Sequence, residues 1–95
     1  MRDYELTVLF KGDLEEKEVD KGVKNLSDLL TKIGAKIKSK KDPAKKVLAY
    51  EINKQRDAFY VYFEVSLEPA NVLEMETKIR LMDNVLRHLI CQANH

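Results

Sequence analysis

The sequence predicts an α+β sandwich, a four-stranded antiparallel sheet with two helices on one face. Three observations lead there. Four stretches read as strands, two stretches repeat apolar residues at helical spacing, and they follow one another as strand, helix, strand, strand, helix, strand. The strongest strand is "AFYVYFEV", Ala58 to Val65, apolar or aromatic everywhere except Glu64. Alternation sends Phe59, Val61, Phe63 and Val65 to one face and Tyr60 and Tyr62 to the other.

The first strand, Tyr4 to Phe10, presents Tyr4, Leu6, Val8 and Phe10 on one face and Glu5, Thr7 and Leu9 on the other. Gly12 and Asp13 break it. Asp13 is a candidate N-cap, and the acids that follow complement the positive end of the helix dipole. Val19, Val23, Leu26, Leu30 and Ile33 recur at helical spacing, and Gly34 stops the helix.

A second strand starts at Ala35 to Lys38 and resumes at Val47 to Ile52. The lysine-rich segment between them, with Asp42-Pro43, reads as a loop or wide turn. "NKQRD", Asn53 to Asp57, reads as a hairpin loop before the third strand, Ala58 to Leu67. Pro69 suits the first position of a helix. Val72, Met75, Ile79 and Met82 continue that helix, Asp83-Asn84 ends it, and Val85 to Cys91 forms the last strand.

With right-handed crossovers this order gives a ferredoxin-like split βαβ sandwich (βαββαβ). Its first and third strands lie at the sheet centre, which suits the two most apolar strands here. With a hairpin centred on Gln55, Tyr50 would face Tyr60, Leu48 would face Tyr62, and Ile52 would face Ala58. Leu48, Tyr50, Tyr60 and Tyr62 would then share the face without helices, since cross-strand partners share a face. In the last strand, Leu86, His88 and Ile90 alternate with Arg87, Leu89 and Cys91, and each set holds a polar residue, so the core face stays open.

The 95 residues suit one domain, 1–95. A chain of this size buries about 60–65% of its unfolded surface, enough for one thin core and a poor basis for a deep active site. Charged residues make up 35% of the chain and net charge is only +1, but the signs are segregated. Asp13 to Asp20 is acidic and Lys36 to Lys46 is basic. One cysteine, Cys91, excludes an internal disulfide and suits a reducing compartment. No apolar run approaches the ~20 residues of a membrane helix, and "MRDYEL" has no signal-peptide pattern. The expected setting is the cytosol.

His88 and Cys91, three apart on a strand, face opposite sides and make a poor metal pair. No phosphate loop, nucleophile elbow or marked acid–base pair is present. No cofactor, small-molecule substrate or catalytic residue is expected, and the chain reads as a non-enzyme. Clustered tyrosines instead suggest a binding surface, because tyrosine supplies large amphipathic contact area.

Two ligand classes fit such a surface. One is single-stranded RNA stacked on the rings. The RNA-recognition-motif signature laid over "RDAFYVYF" agrees at Arg56, Tyr60, Val61 and Phe63, but has Asp57 in place of glycine and Ala58 in place of an aromatic. The other is a protein partner. An independent RNA-recognition module, or a small ferredoxin-like enzyme or ligand sensor, stands as the alternative.

At Ala44 to Asn53, "AKKVLAYEIN" resembles the signature of the bacterial small-subunit ribosomal protein six family, matching at Lys46, Leu48, Ala49, Tyr50 and Ile52. Ala44 replaces a glycine of that pattern and Val47 a polar residue. "MRDYEL" is similar to the family's opening at Arg2, Tyr4 and Glu5, and "DNVLRHLI" to its last strand at Arg87. The resemblance covers nearly the whole chain. It implies a ferredoxin-like structural component of the small ribosomal subunit, cytoplasmic, bound to small-subunit rRNA in the platform together with ribosomal protein eighteen. It implies rRNA contacts at Arg2 and Arg87. Lys45, Lys46 and Arg80 are further phosphate-contact candidates. The surface for protein eighteen carries over to Tyr50, Tyr60 and Tyr62, joined by Leu48. Many members also touch that partner through a polar or acidic C-terminal tail, whereas this sequence ends at His95.

Overall fold

The computed structural model describes residues 1–93. The elements are β1 (Arg2–Lys11), α1 (Glu16–Lys32), β2 (Lys36–Ile52), β3 (Gln55–Leu67), α2 (Val72–Arg80) and β4 (Val85–Gln92), with a 3-10 turn at Pro69–Asn71 leading into α2. All neighbouring strands are antiparallel, in the order β2-β3-β1-β4. This is the expected ferredoxin-like split βαβ sandwich, with β1 and β3 central.

The core lies between the sheet and the two helices. Leu6, Val8 and Phe10 of β1 meet Val61, Phe63 and Val65 of β3, Leu26 and Leu30 of α1, and Met75 and Ile79 of α2. Each apolar side chain removed from water contributes about 1.5–3 kcal/mol, so this shared face fixes the register of β1 against β3. In β4, Ile90 opposes Leu6 and packs against the core, so His88 and Ile90 are on the helix side, and a register shift at Leu86 brings Val85 opposite Phe10 against the core. His88 Nε2 lies 3.4 Å from Glu76 Oε1 of α2. Arg87, Leu89 and Cys91 face the other way.

Several boundaries differ from the sequence reading. Glu15, not Asp13, is the N-cap of α1; its backbone N–H donates to Glu18 Oε1 at 3.2 Å, as in a capping box. Gly34 ends α1 at φ 90, with Gly34 N–H donating to Thr31 O and Ala35 N–H to Leu30 O, a Schellman closure. The second helix stops at Arg80, short of the expected Asp83-Asn84, and a turn with Asn84 at φ 69 leads into β4.

The largest correction concerns β2. The lysine segment is not a loop: the strand runs through Asp42-Pro43, with register shifts between Ile37 and Ser39 and between Lys41 and Ala44. Proline is tolerated because β2 is an edge strand, where a missing N–H breaks no ladder bond. The hairpin is also tighter than expected. Only Asn53 and Lys54 turn, at φ 46 and 65, the paired left-handed conformation of a two-residue hairpin. Ile52 opposes Gln55, so the expected loop residues Gln55, Arg56 and Asp57 belong to β3.

Among the described residues no helix is long and apolar enough to cross a membrane, and no group of His, Cys, Asp and Glu has the makings of a metal site.

Candidate protein and RNA interface

The helix-free face is laid out in rungs. One rung runs Ala44, Tyr60, Leu9, Arg87; the next runs Lys41, Tyr62, Thr7, Leu89; the next holds Ser39, Glu64, Glu5 and Cys91. The expected pairs Tyr50–Tyr60, Leu48–Tyr62 and Ile52–Ala58 do not form. Ala44, Lys41 and Lys46 stand opposite Tyr60, Tyr62 and Ala58 instead. The reason is a bulge beside the turn. Between the rungs Val47–Asp57 and Ile52–Gln55, β2 supplies residues 48–51 while β3 supplies Arg56 alone. The three surplus residues cannot stay in the ladder.

They are accommodated over the helix-free face. Leu48, Ala49, Tyr50 and Ile52 line a cleft of about 200 Å³ together with Leu9, Tyr60, Arg87 and Leu89. Leu9 is only 3% exposed although it lies outside the helix-covered core. Tyr50 of this cover is 63% exposed, and Leu89 beside it on β4 47%. Leu48, Tyr50 and Tyr60 are thus brought together, by a bulge and not by the expected register. Tyr62 lies on the same face one rung away, outside the cleft.

Lysines of β2 lie over the rings of β3. Lys41 Nζ is 5.3 Å from the Tyr62 centroid, Lys46 Nζ 5.4 Å from Tyr60, and Lys45 Nζ 5.6 Å from Phe59. These distances are within cation–π range. Lys45 also pairs with Asp57 at 3.6 Å. The Tyr62 phenol is held above its usual value, first by burial and then by the charge of and a hydrogen bond with Glu5. At the far end of the face, Asp3 accepts hydrogen bonds from Ser66 Oγ and, at 2.8 Å, from Lys38 Nζ. That carboxylate holds the Lys38 ammonium above its usual value.

The expected RNA-contacting residues do not form one cluster. Arg2 is exposed opposite Leu67, on the side of Tyr4 and Leu6. Arg87 is exposed opposite Leu9, on the helix-free side. From Arg2 to Leu9 the strand rises about 23 Å. Arg80 is exposed at the C-terminal end of α2. Lys45 and Lys46 lie side by side on the β2 edge. Arg87 Nη1 donates to Tyr50 Oη at 2.9 Å, joining an expected RNA residue to an expected partner residue. His95 and any tail contact lie outside the described residues. Sequence reasoning missed Leu9 and Leu89 as members of the patch; the alternation of β1 and β4 carries the signal once the core side of β4 is known.

The model of the family described as "Ribosomal protein S6" matches residues 3–92. A "Small ribosomal subunit protein bS6" of Halalkalibacterium halodurans is 36% identical over 90 residues, covering 95% of each chain. The protein of the same description from Desulforamulus reducens is 31% identical over 90 residues, again 95% of each. In three dimensions the chain is similar to the crystal structure of 30S ribosomal protein S6 from Thermotoga maritima. The TM-score is 0.90 and identity 20%, over 97% of this chain and 87% of that one.

Proposed function

The chain belongs to the ribosomal protein S6 family, and from that premise we propose that it binds small-subunit rRNA in the platform as a pair with ribosomal protein eighteen. It is a structural component of the small ribosomal subunit, not an enzyme. The observation that carries the pairing is the apolar and aromatic cover on the helix-free face, with Tyr50 63% and Leu89 47% exposed. Buried aromatics at the centre of an interface commonly dominate its affinity. Tyr50, Tyr60 and Leu48 form the centre of the docking surface for protein eighteen, and Tyr62 extends it by one rung.

The rRNA side of the proposal rests on charge and placement. Arg87 is exposed beside that surface, Arg2 lies at the far end of β1, and Lys45 and Lys46 lie on the β2 edge. Arg80 adds a cation at the end of α2. Such groups contact phosphate and sugar, positioning the protein and supplying salt-dependent affinity. The working site is the ribosome of the bacterial cytoplasm. The test is sedimentation of a tagged chain from source cells. Co-migration with the small subunit, and capture of protein eighteen after nuclease treatment, is the expected result. A chain found only in free soluble fractions contradicts the proposal.

A further inference from the structure

Tyr50 and Arg87 belong to opposite edge strands, with β3 and β1 between them. Adjacent strands are about 4.8 Å apart, so edges three strands apart would be separated by ~14 Å in a flat sheet. The 2.9 Å hydrogen bond from Arg87 Nη1 to Tyr50 Oη exists because the bulged segment 48–51 carries Tyr50 over Leu9 and Tyr60. The tether is specific in its chemistry. Among the described residues no carboxylate forms an ion pair with Arg87. A phenol oxygen accepts a hydrogen bond without neutralising the guanidinium, whose other N–H donors stay available in the same plane.

We infer that Tyr50 is a positioning residue for Arg87: its hydroxyl holds the guanidinium, still fully charged, in place for an rRNA phosphate. A free arginine samples many rotamers, and restraining it before the anion arrives lowers the entropy lost on binding. The hydroxyl of Tyr50 then has a purpose distinct from that of its ring, which belongs to the protein-docking surface. This inference rests on the proposed role of Arg87 as an rRNA contact.

The experiment is a double-mutant cycle on binding to a platform fragment of small-subunit rRNA, with purified ribosomal protein eighteen held at saturation. The four proteins are the wild type, Tyr50→Phe, Arg87→Ala and the double variant, each checked for folding by urea unfolding. Tyr50→Phe is expected to weaken rRNA binding roughly threefold to tenfold, and to cause no further loss once Arg87 is alanine. That coupling separates the positioning role from damage to the fold or to the protein interface, because either of those would persist in the Arg87→Ala background. If Arg87→Ala weakens binding but Tyr50→Phe does not, or if the two losses multiply, the positioning role is overturned and Arg87 remains a contact. If Arg87→Ala binds like the wild type, the contact itself is wrong and the positioning role falls with it.

Discussion

Gly22 of α1 stands against the ring of Phe10 in β1: a Cβ on Gly22 would lie 2.8 Å from Cε1 of Phe10. Glycine inside a helix costs about 1 kcal/mol relative to alanine, so the helix gives up propensity to let a fully buried ring reach beneath it. Overpacking a filled core costs about 1–3 kcal/mol. Gly22→Ala is therefore expected to lower the urea midpoint. A variant more stable than the wild type would show that the ring gives way freely.

The hairpin turn leads to the opposite expectation. Lys54 sits at φ 65, a conformation that costs an L-residue about 1–2 kcal/mol and glycine little. Part of that gain is offset by the greater freedom of glycine in the unfolded chain. Lys54→Gly is expected to stabilise the protein by about 0.5–1 kcal/mol in urea unfolding, with no change in the slope of the transition. A loss of stability would mean that the turn is not of the two-residue kind.

Most of the fold was legible in the sequence because its core obeys simple alternation. Leu6, Val8 and Phe10, Val61, Phe63 and Val65, and the stripe Leu26–Leu30 each repeat at the period of their element, and all are buried. What escaped was β2. Its lysines and Pro43 signal loop by composition, yet an edge strand tolerates both. The bulge at 48–51 has no local signature, since it records a mismatch of length between β2 and β3. Of the expected patch, Tyr62 lies one rung outside the cleft. Leu48, Tyr50 and Tyr60 do meet, but the register expected to join them is absent. Leu89 was not recognised because β4 carries a polar residue on each face.

The Tyr62 phenol provides a pH test. Its folded-state value lies above the ordinary 10.0 through burial and then Glu5. A raised value means that the fold favours the neutral phenol. Its contribution is intact below pH 10.0 and declines as pH rises through the folded value. Lys38, raised from 10.5 by its hydrogen bond to Asp3, acts in the same direction: its stabilisation is present below 10.5 and is lost above. Ultraviolet titration of the wild type minus Tyr62→Phe isolates the ionisation of this one phenol. It is expected above 10.0, and lower in Glu5→Gln than in the wild type. A difference curve unmoved by Glu5→Gln would remove that carboxylate as a cause.

Arg2 and Arg87 lie far apart on opposite faces, so their effects on rRNA binding should be independent. Replacing either with alanine is expected to reduce the slope of log affinity against log salt by about one unit, and replacing both by about two. Slopes equal to the wild type in both single variants would take them out of the interface.

The central claim is that the helix-free face serves a partner while the helix face serves the fold. The direct measurement compares Tyr50→Ala, Tyr60→Ala and Phe63→Ala in two assays, urea unfolding and affinity for ribosomal protein eighteen. Phe63 is fully buried against the helices, and its loss should cost about 3–5 kcal/mol of stability. Tyr50 is exposed and Tyr60 half-buried, so each should cost less than half as much in stability while weakening partner affinity by about 2 kcal/mol or more. Tyrosine variants that unfold as readily as Phe63→Ala, or that remain stable and bind protein eighteen like the wild type, would contradict the claim.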